Sequence, residues 1–302
     1  MISIIIPFYN EDGNLPILLE GITAQMTKLK KSYEIIFVND GSVDDSIIKL
    51  KSKIDSLHLK VGIVKILNHK KKLGKGKSLL KGIREARGDV IVFMDGDNQD
   101  DPIDLPKFIK RIDEGYDFVN GIRINRQDNG LVKMYSGFVS KFLRSYMDSP
   151  YHDINCGFKA FKKEVLTDFA FYGNNFRFFP LTVYHSGFKV TEIEVNNKKR
   201  LYGVTKFGSN KLLIGIFDTV TAYFLYKFSE KPLHFFGSIG ILLFLFGFFI
   251  TAYLTFMRIF YHQMLYRRPM LLFGILLIIV GIQLGLTGMI GELIVFLNKR
   301  KT

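Results

Sequence analysis

Short, unbroken apolar runs alternate with stretches of helical periodicity through the first part of the chain. The runs are Ser3–Pro7, Glu34–Asn39, Gly62–Leu67, Val90–Asp95 and Phe118–Asn120, and Ile and Val dominate them. Between them lie the helical patterns Asn14–Leu29, Asp44–Ile54, Gly76–Ala86 and Asp104–Glu114. Continuous apolar strands separated by helices predict an α/β domain with a mostly parallel sheet covered on both faces. Ligands of such sheets bind where the carboxyl ends of the strands open out. The polar clusters Tyr9-Asn10-Glu11, Asn39-Asp40-Gly41-Ser42 and Asp95-Gly96-Asp97-Asn98-Gln99 all follow strands. Their shared placement predicts one site.

The pattern then changes. Leu233–Met257 carries no charge and Pro269–Leu297 carries only Glu292. About 20 such residues suffice for a helix to cross the hydrocarbon of a bilayer. The connection Arg258–Arg268 is short, so the two predicted spans form a hairpin with both ends on one side. Lys227, Lys231, Lys299, Arg300 and Lys301 flank that side, which the positive-inside rule assigns to the cytoplasm. Arg258, Arg267 and Arg268 sit in the opposite loop and weaken the signal. Glu292 is expected to reach the interface.

Two further stretches, Leu131–Tyr146 and Lys211–Lys227, place apolar residues at helical spacing with basic residues among them. Such helices lie in membrane interfaces or in cores. The expected organisation is therefore a cytoplasmic α/β domain over residues 1–206, amphipathic juxtamembrane helices over 207–231, and a transmembrane hairpin over 232–302. This makes a multi-pass inner-membrane protein with both termini cytoplasmic.

Composition sharpens this picture. The net charge is +14 over 302 residues and is positive in both parts of the chain, which suggests phosphate-bearing partners. The single cysteine, Cys156, excludes an internal disulfide and a cysteine-based zinc site. The N-terminus Met-Ile-Ser-Ile-Ile-Ile-Pro lacks a basic segment before its apolar run and reads as a first strand, with no signal peptide expected.

The strongest chemical signal is Asp95-Gly96-Asp97 at the end of an apolar strand. Two carboxylates there suit a hard divalent ion, Mg²⁺ or Mn²⁺, that shares its shell with diphosphate oxygens. Gln99 can add a neutral oxygen. Asp100 and Asp101 are expected to be less consequential, Asp101 as the start of the helix after Pro102. Gly74-Lys75-Gly76-Lys77-Ser78 suggests a phosphate loop, but Lys71 stands where the nucleotide-hydrolase pattern needs glycine. A basic loop near a diphosphate remains. His58 and His69 are expected to be solvated.

Ile4–Glu11, Val38–Ser42, Asp95–Gln99 and Asp153–Phe161 together resemble the family 2 inverting glycosyltransferases, and more narrowly their polyprenyl-phosphate branch. The resemblance covers nearly the whole chain, hairpin included. It implies a Rossmann-like GT-A domain and a UDP- or GDP-linked sugar donor held along the strand ends. Pro7, Tyr9 and Glu11 would line the base and ribose region. Asp40 would contact the base. Asp95, Asp97 and Gln99 would hold the metal on the diphosphate. Asn39 stands where many members have Asp. On the acceptor side the resemblance implies Arg123, Arg126, Arg177, Arg200 and Lys206 for a lipid phosphate. Asp97, Asp153 and Arg126 are expected closest to the reacting atoms. The implied partners are the nucleotide sugar, polyprenyl phosphate and the membrane, with no nucleic acid. Homo-oligomerisation is left open.

A phosphate monoester is already mostly ionised at neutral pH, because its second pKa is about 6. It needs positioning more than deprotonation. Asp153 is therefore expected to orient the phosphate or sugar and to act as a base only secondarily. The alternatives are a transferase with a sugar-hydroxyl acceptor, for which Asp153 would be the base, and an inactive membrane scaffold. Processive family members carry a Gln-x-x-Arg-Trp motif, which a chain without tryptophan lacks.

Overall fold

The computed structural model describes residues 1–57, 63–124, 144–145, 147–166, 175–198, 219–221, 223–224, 227–228, 231–261 and 269–299. The chain divides into two units, Met1–Asp218 and Thr219–Thr302. The predicted interface helices Leu131–Tyr146 and Lys211–Lys227 lie mostly outside the described residues.

In the first unit the strands are β1 (Ile2–Phe8), β2 (Tyr33–Asn39), β3 (Ile63–Asn68), β4 (Val90–Phe93), β5 (Phe118–Ile124), β6 (Lys159–Lys162) and β7 (Val190–Asn196). They form a sheet of order β3-β2-β1-β4-β6-β5-β7. β1 pairs in parallel with β2 and β4, β2 with β3, and β5 with β7. Every residue of β1 and β2 is buried, as expected of strands covered on both faces. β3 is an edge strand, and its half-exposed residues include Lys65, a usual guard against edge-to-edge pairing.

Helices α1 (Leu15–Leu29), α2 (Ser46–Ser56), α3 (Lys75–Glu85) and α4 (Leu105–Asp113) follow the first four strands, and α5 (Phe179–His185) precedes β7. α1 illustrates their packing. It buries Leu15, Leu18, Leu19, Ile22 and Met26, one stripe at helical spacing.

β6 and β7 were not expected from the apolar pattern. β6 runs antiparallel to both β4 and β5, with Lys159 paired to Phe93 and to Asn120. A sheet that is mostly parallel therefore carries one reversed strand at its middle. That strand brings the Asp153–Phe158 segment to the carboxyl end of β4.

The second unit contains α6 (Pro232–Tyr261) and α7 (Pro269–Lys299). Both are long and apolar enough to cross a membrane, with mean hydropathy 2.3 and 2.5 in their most apolar windows. Their backbones touch at glycines. A Cβ on Gly240 would stand 2.7 Å from the Gly281 carbonyl, and one on Gly281 would stand 2.6 Å from the Gly240 carbonyl. Close approach at small residues is the ordinary way for helices to pair in lipid. Glu292 of α7 accepts the Leu233 amide at 3.3 Å. It thus serves the unpaired first turn of α6, a use its sequence position did not reveal.

Candidate active site

The loops at the carboxyl ends of β1 and β2 are tied together by side chains. Asn10, at φ +54°, donates its amide to Ser42 Oγ at 2.9 Å, and its own Oδ1 accepts the Val43 amide at 3.0 Å. Glu11 donates its amide to Ser46 Oγ at 2.9 Å and accepts from Asn14 Nδ2 at 2.7 Å. Asn39 is buried and accepts the Ser42 amide at 2.8 Å while donating to Asn68 at 3.1 Å. The residue that departs from the family pattern thus shapes its own turn.

Asp40 accepts the Leu73 amide at 2.7 Å and the Gly74 amide at 2.9 Å. A Cβ on Gly41, whose φ is +74°, would stand 2.7 Å from the Lys71 carbonyl carbon. Asp40-Gly41 therefore anchors the basic loop Lys70–Lys75 beside β1. Lys72 of that loop lies 3.9 Å above the Tyr9 ring. His69, expected to be solvated, is half-buried with Nε2 shielded and unbonded, and burial pushes its pKa down.

The Asp95–Gln99 turn packs against the end of β1. A Cβ on Gly96 would stand 2.8 Å from Phe8 Cβ and 3.2 Å from the Pro7 carbonyl oxygen. This close approach brings Asp97 beside the Pro7–Glu11 loop. Asp97 accepts the Gln99 amide at 3.3 Å, and Gln99 donates its side-chain amide to the Lys198 carbonyl at 3.5 Å. Asp95 forms an ion pair with Lys75, the first residue of α3. Burial opposes ionisation of Asp95, but the charge and hydrogen bond of Lys75 outweigh it and hold the carboxyl low.

Asp101 caps the turn after it, accepting the Ile103 amide at 3.2 Å. Asp100 corrects the expectation made for it. It is buried, receives the Asp95 amide at 3.3 Å, and is pushed up to about 7 by burial and then by the charges of Asp95 and Asp97.

Three carboxylates crowded in this way favour a cation. Mg²⁺ keeps several ligand positions for water or phosphate and takes only one or two protein carboxylates. Among the described residues no three His, Cys, Asp or Glu side chains are grouped to hold a metal alone. Asp95 and Asp97 supply on one turn the one or two carboxylates that a metal shared with a diphosphate takes from a protein.

Asp153 is gripped by Arg123 of β5. Arg123 Nε donates to Oδ2 at 2.7 Å and Nη2 to Oδ1 at 3.0 Å. Burial works against the guanidinium, but Asp153 outweighs it and raises the Arg123 pKa. Both side chains are largely buried, at 17% and 11% exposure, so this pair is more than a surface contact. Asn120 Nδ2 donates to the Asp153 carbonyl at 2.9 Å and to Glu192 Oε1 at 2.9 Å. Glu192 also accepts the His152 amide at 2.8 Å. The loop is thus fixed from β5 and β7.

Lys159 holds it from β6. Its buried ammonium donates to the Ile154 carbonyl at 3.2 Å and to the Cys156 carbonyl, and burial pushes its pKa down to about 8. Burial pushes the Cys156 thiol up to about 12, which leaves it unreactive.

Gly157 of this loop lies against Asp95. A Cβ there would stand 2.8 Å from Asp95 Cγ. The carboxylate is the end of a side chain that can rotate, so Gly157→Ala is expected to displace Asp95 without unfolding the domain. Activity should fall at least tenfold, by about the cost of a 1 Å misplacement at a reacting centre. The melting temperature should move by only a few degrees. Parallel rate and melting measurements check this, and equal losses in both would mean that the glycine serves folding alone.

One open cleft is lined by Lys75, Asn155, Gly157, Lys159, Phe176 and Arg177. Of the predicted site residues, Arg177 lines this cleft beside Lys75, the ion-pair partner of Asp95, and Pro7, Tyr9, Glu11, Asp40, Asp97, Gln99, Arg123 and Asp153 lie in the same unit. Arg126, Arg200 and Lys206 lie outside the described residues. Lys75, Asp100, Gly157 and Lys159, not among the predicted site residues, contact the Asp95 turn or the Asp153–Phe158 loop. Lys75 had a signal in the basic loop, and Gly157 and Lys159 had one in the Asp153–Phe161 motif; Asp100 had none.

The family model for Glycosyl transferase family 2 matches residues 3–198. The chain belongs to this family. It is therefore a glycosyltransferase. Relatives extend over nearly all of the chain. It is 28% identical over 297 residues to the dodecaprenyl-phosphate galacturonate synthase of Rhizobium johnstonii, covering 97% of this chain and 87% of that one. It is 29% identical over 294 residues to the undecaprenyl-phosphate 4-deoxy-4-formamido-L-arabinose transferase of an Enterobacter species, covering 97% and 88%. Among solved structures, glucosyl-3-phosphoglycerate synthase of Mycobacterium tuberculosis with Mn²⁺ and UDP-glucose gives a TM-score of 0.56. It is 18% identical and the match covers 74% of this chain and 78% of that one. This family 2 chain thus shares the GT-A fold of that enzyme.

Proposed function

We propose that this glycosyltransferase moves one sugar from a UDP- or GDP-linked donor to a polyprenyl phosphate at the cytoplasmic face of the inner membrane. The product serves envelope glycan or lipopolysaccharide modification. The observation that carries the reading is the extent of the match to polyprenyl-phosphate sugar transferases, which takes in 97% of the chain. That span includes the two apolar helices as well as the nucleotide motifs.

The chemistry follows from the site. A phosphate oxygen of the lipid attacks the anomeric carbon as the bond to the nucleoside diphosphate breaks. The diphosphate departs with the bonding electron pair, so the configuration inverts. No proton needs to leave the nucleophile, since a phosphate monoester is mostly dianionic at neutral pH. Asp95, Asp97 and Gln99 would hold Mg²⁺ or Mn²⁺, which would offset the charge gathering on the departing diphosphate. Tyr9, Glu11 and Asp40 shape the nucleotide end, Asp40 by anchoring the basic loop. Asp153, held by Arg123, orients the attacking phosphate or the sugar. Arg126, Arg177, Arg200 and Lys206 supply cations for the lipid phosphate. Residues 1–206 act as the catalytic domain and 232–302 as the anchor, with 207–231 between them.

The test is to incubate membranes containing the protein with a panel of UDP- and GDP-sugars and undecaprenyl phosphate, then weigh the lipid product. A lipid heavier by one sugar, lost on chelation, is expected. Sugar found only on glycan hydroxyls would overturn the reading.

A further inference from the structure

The ion pair between Lys75 and Asp95 places an ammonium on a carboxylate that the proposed reaction assigns to a metal. Lys75 is directed there by the backbone. It opens α3 directly after Gly74, whose φ of +93° disfavours any side chain. Asp40 fixes the preceding loop through the Leu73 and Gly74 amides. The pair is not sealed in the core, because Lys75 and Asp95 are 30% and 35% exposed. Ion pairs of such exposure are weak enough to exchange. A lysine is also a compact charge on a flexible stem, suited to moving between partners. A second resting place lies nearby. The ammonium is 5.4 Å from the Phe176 ring, and the cleft it lines opens toward Asn155 and Arg177.

We propose that Lys75 is an exchangeable counter-ion of the active site. It neutralises Asp95 in the free protein and yields that oxygen to the cation that enters with the nucleoside diphosphate. The freed ammonium then faces the diphosphate from the cleft. Cation and diphosphate bind together as a consequence, and the free protein takes up divalent ions poorly. This rests on the reading of Asp95 as a metal holder.

Mn²⁺ affinity of the full chain in detergent tests the idea without any turnover. Free Mn²⁺ is read by its electron paramagnetic resonance signal, with no nucleotide, with UDP and with GDP. Lys75→Met should bind Mn²⁺ roughly tenfold tighter than wild type when nucleotide is absent, the scale of one charge-assisted contact. The gain in Mn²⁺ affinity on adding UDP or GDP should shrink by a similar factor. Lys75→Arg, which keeps the charge, should stay closer to wild type than either neutral variant, and Lys75→Gln should repeat the Met result if Met disturbs the fold. Unchanged or weaker nucleotide-free affinity in both neutral variants would overturn the proposal and leave the metal reading standing. No Mn²⁺ binding by any protein, with or without nucleotide, would overturn both.

Discussion

Asp97→Ala is expected to lower sugar transfer by roughly 10³-fold, the upper end of what one preorganised electrostatic contact contributes. Asp97 follows β4 by a turn whose Gly96 packs on Phe8 and Pro7, so its backbone position is set by the sheet. Its carboxylate accepts the Gln99 amide at 3.3 Å, a contact within its own turn and not to the core. The substitution should therefore leave the fold and the melting temperature nearly unchanged while removing metal-dependent donor binding. Asp101→Ala is the matched control. It removes a carboxylate four residues away that caps a helical turn, so it should cost stability of about 1 kcal/mol and little activity. Transfer assays with and without a chelator separate the two effects. An Asp97→Ala enzyme that works fully in chelator would remove the metal from the mechanism.

The sheet was legible because β1, β2 and β4 are unbroken apolar runs that water cannot be allowed to reach. The Asp-x-Asp turn was legible because carboxylates at the end of such a strand are costly without a partner. β6 was not. Lys159-Ala160-Phe161-Lys162 is short and bracketed by lysines, and only its neighbours β4 and β5 make it a strand. The same holds for its chemistry. Lys159 is a surface residue by composition and a buried clamp in the fold, because the carbonyls of Ile154 and Cys156 turn toward it.

Long-range pairing accounts for the other gaps. Asp40, expected at the nucleotide base, also holds amides more than thirty residues away, which its sequence position did not reveal. Asp100 looked like one acidic residue in a polar run, and only burial beside Asp95 makes it hold its proton near neutrality. This has a sign that can be measured. The folded protein binds this proton more tightly than the unfolded chain does. Its contribution to stability therefore falls as pH rises from about 4 to about 7.

The second large effect concerns the pair Arg123–Asp153. Arg123→Ala should cost roughly tenfold to hundredfold in catalytic efficiency, because it leaves a largely buried carboxylate without its bidentate partner. Asp153→Asn keeps the shape and one acceptor oxygen, so some transfer should remain. Because the two side chains act as one unit, the double variant should lose less than the two single losses combined.

The pH dependence decides the role of Asp153. A carboxylate held on both oxygens by a guanidinium is poorly placed to accept a proton. A lipid phosphate above its second pKa of about 6 has none that must be taken. The wild-type rate should therefore track ionisation of the acceptor, and Asp153→Asn should keep that profile at a lower level, with no rescue at high pH. A pH-rate series on wild type, Asp153→Asn and Arg123→Ala with the lipid acceptor makes the comparison. If Asp153→Asn is dead at every pH while acceptor affinity is unchanged, Asp153 is the base, and Arg123 serves to aim it.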